Sequence, residues 1–185
     1  MRRLLLQAGL AVALLAGVIG IASADVPEGP SEAKVKATFL FKFTSYVDWP
    51  SIAFEQADAP LVICVVDADE VASELLRLTA GRSVSGHAIQ VKRVSGGDAI
   101  VRSHVLFVGT AASSRLGRIL SATRNQPVLT VTELDDALAF GSVINFVLID
   151  DQVRFDVSLP AAERGALKIS SRLLSVARQV VTVTP

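Results

Sequence analysis

Apolar residues along this chain follow two rhythms that alternate through most of its length. From Val35 through Phe39 and Phe43 to Tyr46 or Val47 they recur every three to four residues, the spacing of one helical face. Ser31 is placed to cap that helix, and Asp48-Trp49-Pro50 to end it. Leu61–Val66 is instead a short, continuously apolar and largely β-branched run, which is how a strand covered on both faces reads. Residues 69–80 return to helical spacing through Val71, Leu75, Leu76 and Leu78, and Gly81 is positioned to stop them. Residues 89–94 alternate imperfectly, as a half-buried or edge strand does, while Val105–Val108 is another buried run. Gly96-Gly97 before Asp98 reads as a turn. Ser113 or Ser114 then opens a helix with Leu116, Ile119 and Leu120 on one side, residues 127–131 give a strand, and Thr132-Glu133 begins a short helical turn.

Strand and helix taking turns in this way predict an α/β layered sandwich with a mostly parallel sheet and flanking helices. The last third breaks the rhythm. Two apolar strands, residues 143–149 and 153–157, are separated only by Asp150-Asp151-Gln152, the pattern of a β-hairpin. In the second strand Val153, Phe155 and Val157 point one way and Arg154, Asp156 and Ser158 the other, which predicts a polar face at a sheet edge. Helical sequence from Ala161 to about Val180, with Gly165 and Ser170-Ser171 as breaks, closes the chain.

The first 24 residues change the picture from fold to location. Arg2 and Arg3 precede an uncharged apolar stretch from Leu4 to Ile21, and Ala22-Ser23-Ala24 supplies a small-residue cleavage site, so residues 1–24 read as a cleaved secretory signal. A retained membrane anchor is the alternative. Residues 25–185 then form a single exported domain, periplasmic by expectation, of 185 − 24 = 161 residues, long enough for a sizeable core. The 18 basic and 18 acidic residues lose Arg2 and Arg3 on cleavage, leaving 16 − 18 = −2, which argues against a nucleic-acid partner. The one cysteine, Cys64, lies inside a buried run and has no second cysteine to pair with, so stability must come from packing.

Candidate chemistry is sparse. One Cys, two His and no carboxylates at metal-ligand spacing leave little material for a metal site, a cofactor or a catalytic nucleophile, so an enzyme is not expected. His87 reads as a loop residue beside Gly86, and His104, opening a buried strand, as a hydrogen-bonded structural histidine. Ser113 and Arg115 follow a strand end where helix amides can hold a phosphate or carboxylate, although a plain helix cap is the simpler reading of the serines. Asn145 and Arg154 in the hairpin are candidates to face a partner or ligand, with an exposed face pairing Arg154 to Asp156 as the blander reading. Arg172 follows Ser170-Ser171, whose hydroxyls suit the start of a terminal helix near Leu173. A cation there opposes the helix dipole and favours an interaction role.

Longer stretches resemble a known family, the YfiR/HmsC-like periplasmic proteins. They are Lys36-Ala37-Thr38-Phe39-Leu40-Phe41-Lys42-Phe43 running to Val47-Asp48-Trp49-Pro50, Ser103-His104-Val105-Leu106-Phe107-Val108, and Pro127-Val128-Leu129-Thr130-Val131. The series continues with residues 141–150, Val153-Arg154-Phe155-Asp156-Val157, residues 161–167 and Lys168-Ile169-Ser170-Ser171-Arg172-Leu173-Leu174. The resemblance implies a small non-catalytic α/β repressor that binds an inner-membrane diguanylate cyclase, or another membrane sensor such as a kinase, and keeps cyclic-di-GMP and biofilm output low. It also implies a homodimer, and relief of repression by redox state or an outer-membrane lipoprotein. Relatives often carry a cysteine just before the His-Val-Leu-Phe strand that pairs with one at the position of Cys64. Ser103 stands there in this chain, and the cysteine pair of some relatives nearer the C-terminus is missing, so a disulfide switch is not expected. A periplasmic carrier or sensor holding a small ligand at the strand C-termini, with Ser113 and Arg115 as its contacts, is the competing reading.

Overall fold

In the computed structural model, residues 29–95 and 102–183 are described. Residues 1–24, expected to be a secretory signal, and Gly96-Gly97 lie outside them. In chain order the elements are α1 (Glu32–Phe43), β1 (Val47–Asp48), β2 (Leu61–Val66), α2 (Asp69–Thr79), β3 (Ser83–Val84), β4 (His87–Val94), β5 (Val105–Val108) and α3 (Leu116–Ala122). They continue with β6 (Leu129–Thr132), β7 (Ile144–Ile149), β8 (Gln152–Ser158), α4 (Leu159–Arg164), β9 (Lys168–Ile169), α5 (Ser171–Val176) and β10 (Gln179–Val181).

Eight strands form one sheet in the order β10-β8-β7-β6-β5-β2-β4-β3, parallel except for the β7–β8 and β3–β4 pairs. The expected mostly parallel sheet with a hairpin and flanking helices is therefore what the chain builds. β1 and β9 pair separately and antiparallel. Every side chain of β2 is buried, because alternate residues serve different layers. Ile63 and Val65 join α1, α2, the hairpin and α5 in one cluster, whereas Val62, Cys64 and Val66 join α3 and Ala137 in another. The first cluster holds an aromatic group in which Phe43 of α1 meets Phe155 edge-on at 5.1 Å and Phe146 at 5.9 Å, tying the first helix to the hairpin.

Local signals explain the element ends. Ser31 accepts the Lys34 amide at 3.3 Å and Ser170 the Leu173 amide at 3.3 Å, so both predicted serine caps form. The hairpin turns through Asp150 and Asp151, both at positive φ (48° and 57°), a conformation aspartate tolerates better than most residues.

Four expectations need correction. Neither Ser113 nor Ser114 caps a helix, because the chain already turns in a 3₁₀ helix from Thr110 to Arg115 and α3 starts at Leu116 with no side-chain cap. His87 is not in a loop but opens β4. β8 is not a free polar edge: its second half pairs with β10, and Asp156 and Ser158 are buried. The stretch after Ala161 is no single helix either, since α4 ends at Gly165, Ala166 takes φ 53°, and short strands β9 and β10 alternate with α5. A Cβ on Gly165 would stand 2.6 Å from the Gln126 carbonyl oxygen, so packing against that loop requires glycine where the helix stops.

Phe43→Ala should lower stability by about 3–5 kcal/mol, because it empties a fully buried site between α1 and the hairpin. A urea titration would show this as a lower midpoint at unchanged slope, and a midpoint within error of the parent would contradict the packing described.

Candidate functional site

Open parallel sheets bind ligands outside the carboxyl ends of their strands, at the point where the strand order reverses. Here that point lies between β2 and β5, since β2 leads through α2 to β4 on one side while β5 lies on the other. The segments leaving the two strands, Asp67-Ala68 and Gly109-Thr110, are in contact. A Cβ on Gly109 would stand 2.6 Å from the Asp67 carbonyl oxygen and 2.9 Å from Ala68 Cβ, and the Gly109 amide donates to the Val66 carbonyl at 2.9 Å. No gap remains between the two backbones.

Beside this contact lies a shallow depression of about 340 Å³ lined by Glu32, Lys36, Asp69, Glu70, Thr110 and Glu133, among others. Its polar groups answer one another. Glu133 accepts the Thr110 amide at 3.0 Å through Oε1 and takes the Lys36 ammonium through Oε2, while Lys36 also pairs with Glu32. Asp67, turned to φ 49°, pairs with Arg115. Burial works to lower the Lys36 pKa, but hydrogen bonds to Glu133 and Glu32 and their charges outweigh it and leave it above the ordinary value. The amide that opens the 3₁₀ turn, where an anion would dock, is occupied by the protein's own carboxylate. Five carboxylates (Glu32, Asp67, Asp69, Glu70, Glu133) against two cations (Lys36, Arg115) repel an incoming anion.

The sequence-derived candidates are not brought together. Ser113 is exposed on the 3₁₀ helix and Arg115 is engaged by Asp67. Asn145 is 7 % exposed, and its Oδ1 accepts from the Thr132 hydroxyl at 2.6 Å and the Leu134 amide at 3.2 Å. Its amide braces the β6–β7 junction instead of facing outward. Arg154 is exposed on the hairpin and reaches Gln152. Asp156, expected to be its neighbour in charge, is buried and held by Arg178, whose Nε donates to Oδ1 at 2.8 Å. Arg172 is exposed in the first turn of α5. The crevice residues Lys36, Glu133, Asp67 and Gly109 escaped sequence reasoning. Lys36 four residues after Glu32 is a readable helix pair, but its second partner lies 97 positions away.

Cys64 is fully buried in β2, and burial pushes its thiol pKa up against a hydrogen bond with Ser103 and the charge of Lys92. The two positions at which the resemblance expects a cysteine pair are thus side by side. Among the described residues no group of three or more His, Cys, Asp or Glu is arranged to hold a metal, and no helix is long and apolar enough to cross a membrane.

The YfiR/HmsC-like family model matches residues 33–178. The chain belongs to the YfiR/HmsC-like family. The matched span runs from α1 through α5, so the closed crevice, the Cys64–Ser103 contact and the hairpin all fall within the family domain. No curated protein matches the chain.

Glu133→Gln should cost about 2 kcal/mol near neutral pH, because it removes the charge that Lys36 was buried against. The Lys36 pKa is raised on folding, so this stabilisation is present below 10.5 and is lost as the pH climbs through the higher folded-state value. Urea melts of both proteins should therefore differ by a constant amount at neutral pH and converge in strong alkali. Identical midpoints at neutral pH would count against the pairing.

Proposed function

We propose that this chain is exported, loses residues 1–24, and acts in the periplasm as a non-catalytic regulator that binds the outer part of an inner-membrane diguanylate cyclase and holds it inactive. Cyclic-di-GMP and biofilm formation then stay low. The observation that carries this reading is family membership across residues 33–178. The crevice supports it, because a site whose backbones touch and whose two cations are already held by carboxylates is poorly suited to a small anionic ligand. Apolar side chains on the outside also fit a protein partner: Leu148 and Ile149 at the hairpin tip, Phe140 and Val176 are all more than two-fifths exposed. A homodimer, and relief of repression by an outer-membrane lipoprotein, belong to the same proposal.

Redox control through an internal disulfide does not. Cys64 is the chain's one cysteine and is sealed in the core.

The test is titration of the mature protein onto a detergent-solubilised full-length inner-membrane diguanylate cyclase from the same organism, with cyclic-di-GMP synthesis as the readout. Synthesis should fall roughly tenfold at saturation, the size of an ordinary allosteric coupling, and to the same extent with and without dithiothreitol. Unchanged synthesis with no measurable binding would sink the cyclase assignment, and repression lost on reduction would sink the redox statement.

A further inference from the structure

At the opposite, amino-terminal edge of the sheet, residues 51–60 lie across the starts of β2, β4 and β5. The segment is largely exposed, and its main-chain hydrogen bonds close locally: Ala53 N to the Pro50 carbonyl at 2.9 Å, Phe54 N to Ser51 at 3.2 Å and Ala59 N to Gln56 at 3.1 Å. Among the described residues, two imidazoles tie it to the sheet. His104 Nε2 lies 3.1 Å from the Ala53 carbonyl and His87 Nδ1 2.7 Å from the Ala59 carbonyl. Between the two rings the Phe54 phenyl is stacked, 3.9 Å from His87 at 12° and 4.3 Å from His104 at 23°.

The partners of His104 fix its protonation. Ala53 offers only a carbonyl, so Nε2 carries the proton, and the Val62 amide donates to Nδ1 at 3.0 Å, so Nδ1 must be bare. The ring is neutral, 8 % of the residue is exposed, and its backbone continues the sheet: His104 N donates to Val62 O at 2.9 Å, and its carbonyl accepts Leu129 N at 2.8 Å and Trp49 Nε1 at 3.2 Å. A second proton would set Nδ1–H against the Val62 N–H, leaving a buried amide without its acceptor.

Among the described residues no carboxylate is placed to compensate that charge. Facing the ring are His87 from β4 and the uncharged Phe54 and Trp49, with Cys64 and nearby Lys92 on the strands behind. Glu55 is exposed and engaged by Arg102, which precedes β5, while Asp48 and Asp58 are exposed.

We propose that residues 51–60 form a proton-operated latch: two imidazoles clamp the segment through Phe54 in neutral medium, and protonation of His104 sets Nδ1–H against the Val62 N–H and turns the ring off β2, carrying with it the segment still bonded to Nε2 and its exposed Ile52. Burial holds the His104 pKa below the ordinary imidazole value, the Ala53 bond opposes this and the charge of His87 adds to it. Since the folded state prefers the neutral ring, stability is complete above the unfolded value near 6.5 and is lost as the pH falls toward the lower folded-state value. The latch is a property of the folded chain, independent of the cyclase assignment.

Trp49, the one tryptophan, meets the His104 ring edge-on at 6.5 Å and reports on it directly. The experiment follows Trp49 emission and hydrogen exchange of residues 51–60 in the mature protein from about pH 7.5 to about pH 5. Emission should fall at least about twofold with a midpoint below 6.5, and exchange in the segment should rise about tenfold while β5 stays protected. His104→Asn, whose Oδ1 can accept from Val62 without titrating, should abolish both changes. His87→Phe, which keeps the stack and removes the neighbouring charge, should move the midpoint upward. A wild type with flat emission and exchange, a His104→Asn protein that titrates like its parent, or a His87→Phe midpoint that does not move would each overturn the latch.

Discussion

Six consecutive residues of β2 are buried on both faces, and the rest of the fold is arranged to keep them so. A strand in that position has no solvent to satisfy its backbone, so β4 flanks it in register from Leu61 to Val66 and β5 from Ile63 to Val66. Its side chains alternate between two clusters, so each face needs its own cover: α1, α2 and α5 on one side, and α3 with the segment around Ala137 on the other. Parallel neighbours can be reached only by crossing over the sheet, and those crossings place the switch point beside β2. The crevice, the buried thiol and the histidine edge are all consequences of where this strand lies.

What the molecule does at the switch point sets it apart from a ligand-binding sheet of the same kind. The backbone of Gly109 presses on Asp67, and Lys36, Arg115 and the Thr110 amide are answered by carboxylates of the chain itself. Burying or half-burying charges costs desolvation that pairing offsets, so such a network stabilises one closed arrangement better than it recruits a solute. The proposed regulator would accordingly act through its surface. That is the physical counterpart of membership in a family of regulators, and it accounts for a chain that holds little catalytic material.

Much of what depended on neighbours in sequence was legible. Ser31 and Ser170 announced helix starts because a cap bonds an amide three residues on, and Leu61–Val66 and Val105–Val108 announced buried strands because no polar residue interrupts them. Distant pairing was not legible. Residues 168–169 and 179–181 look helical in isolation and become strands only because Val47-Asp48 and Asp156–Ser158 offer edges far away in the chain. Asn145 read as a presented amide because Thr132, which satisfies it, stands thirteen positions earlier on another strand. Gly109 gave no sign of its role, since a close approach to Asp67 leaves no composition signal.

The central claim is that an exported, internally satisfied domain restrains a membrane cyclase by contact. The most direct measurement is the cyclic-di-GMP content of cells lacking the gene, complemented either with the full chain or with residues 25–185 alone. The account predicts a several-fold rise on deletion that the full chain reverses and the leaderless form, retained in the cytoplasm, does not. Cyclic-di-GMP unaltered by deletion, or restored by the leaderless form, would contradict it.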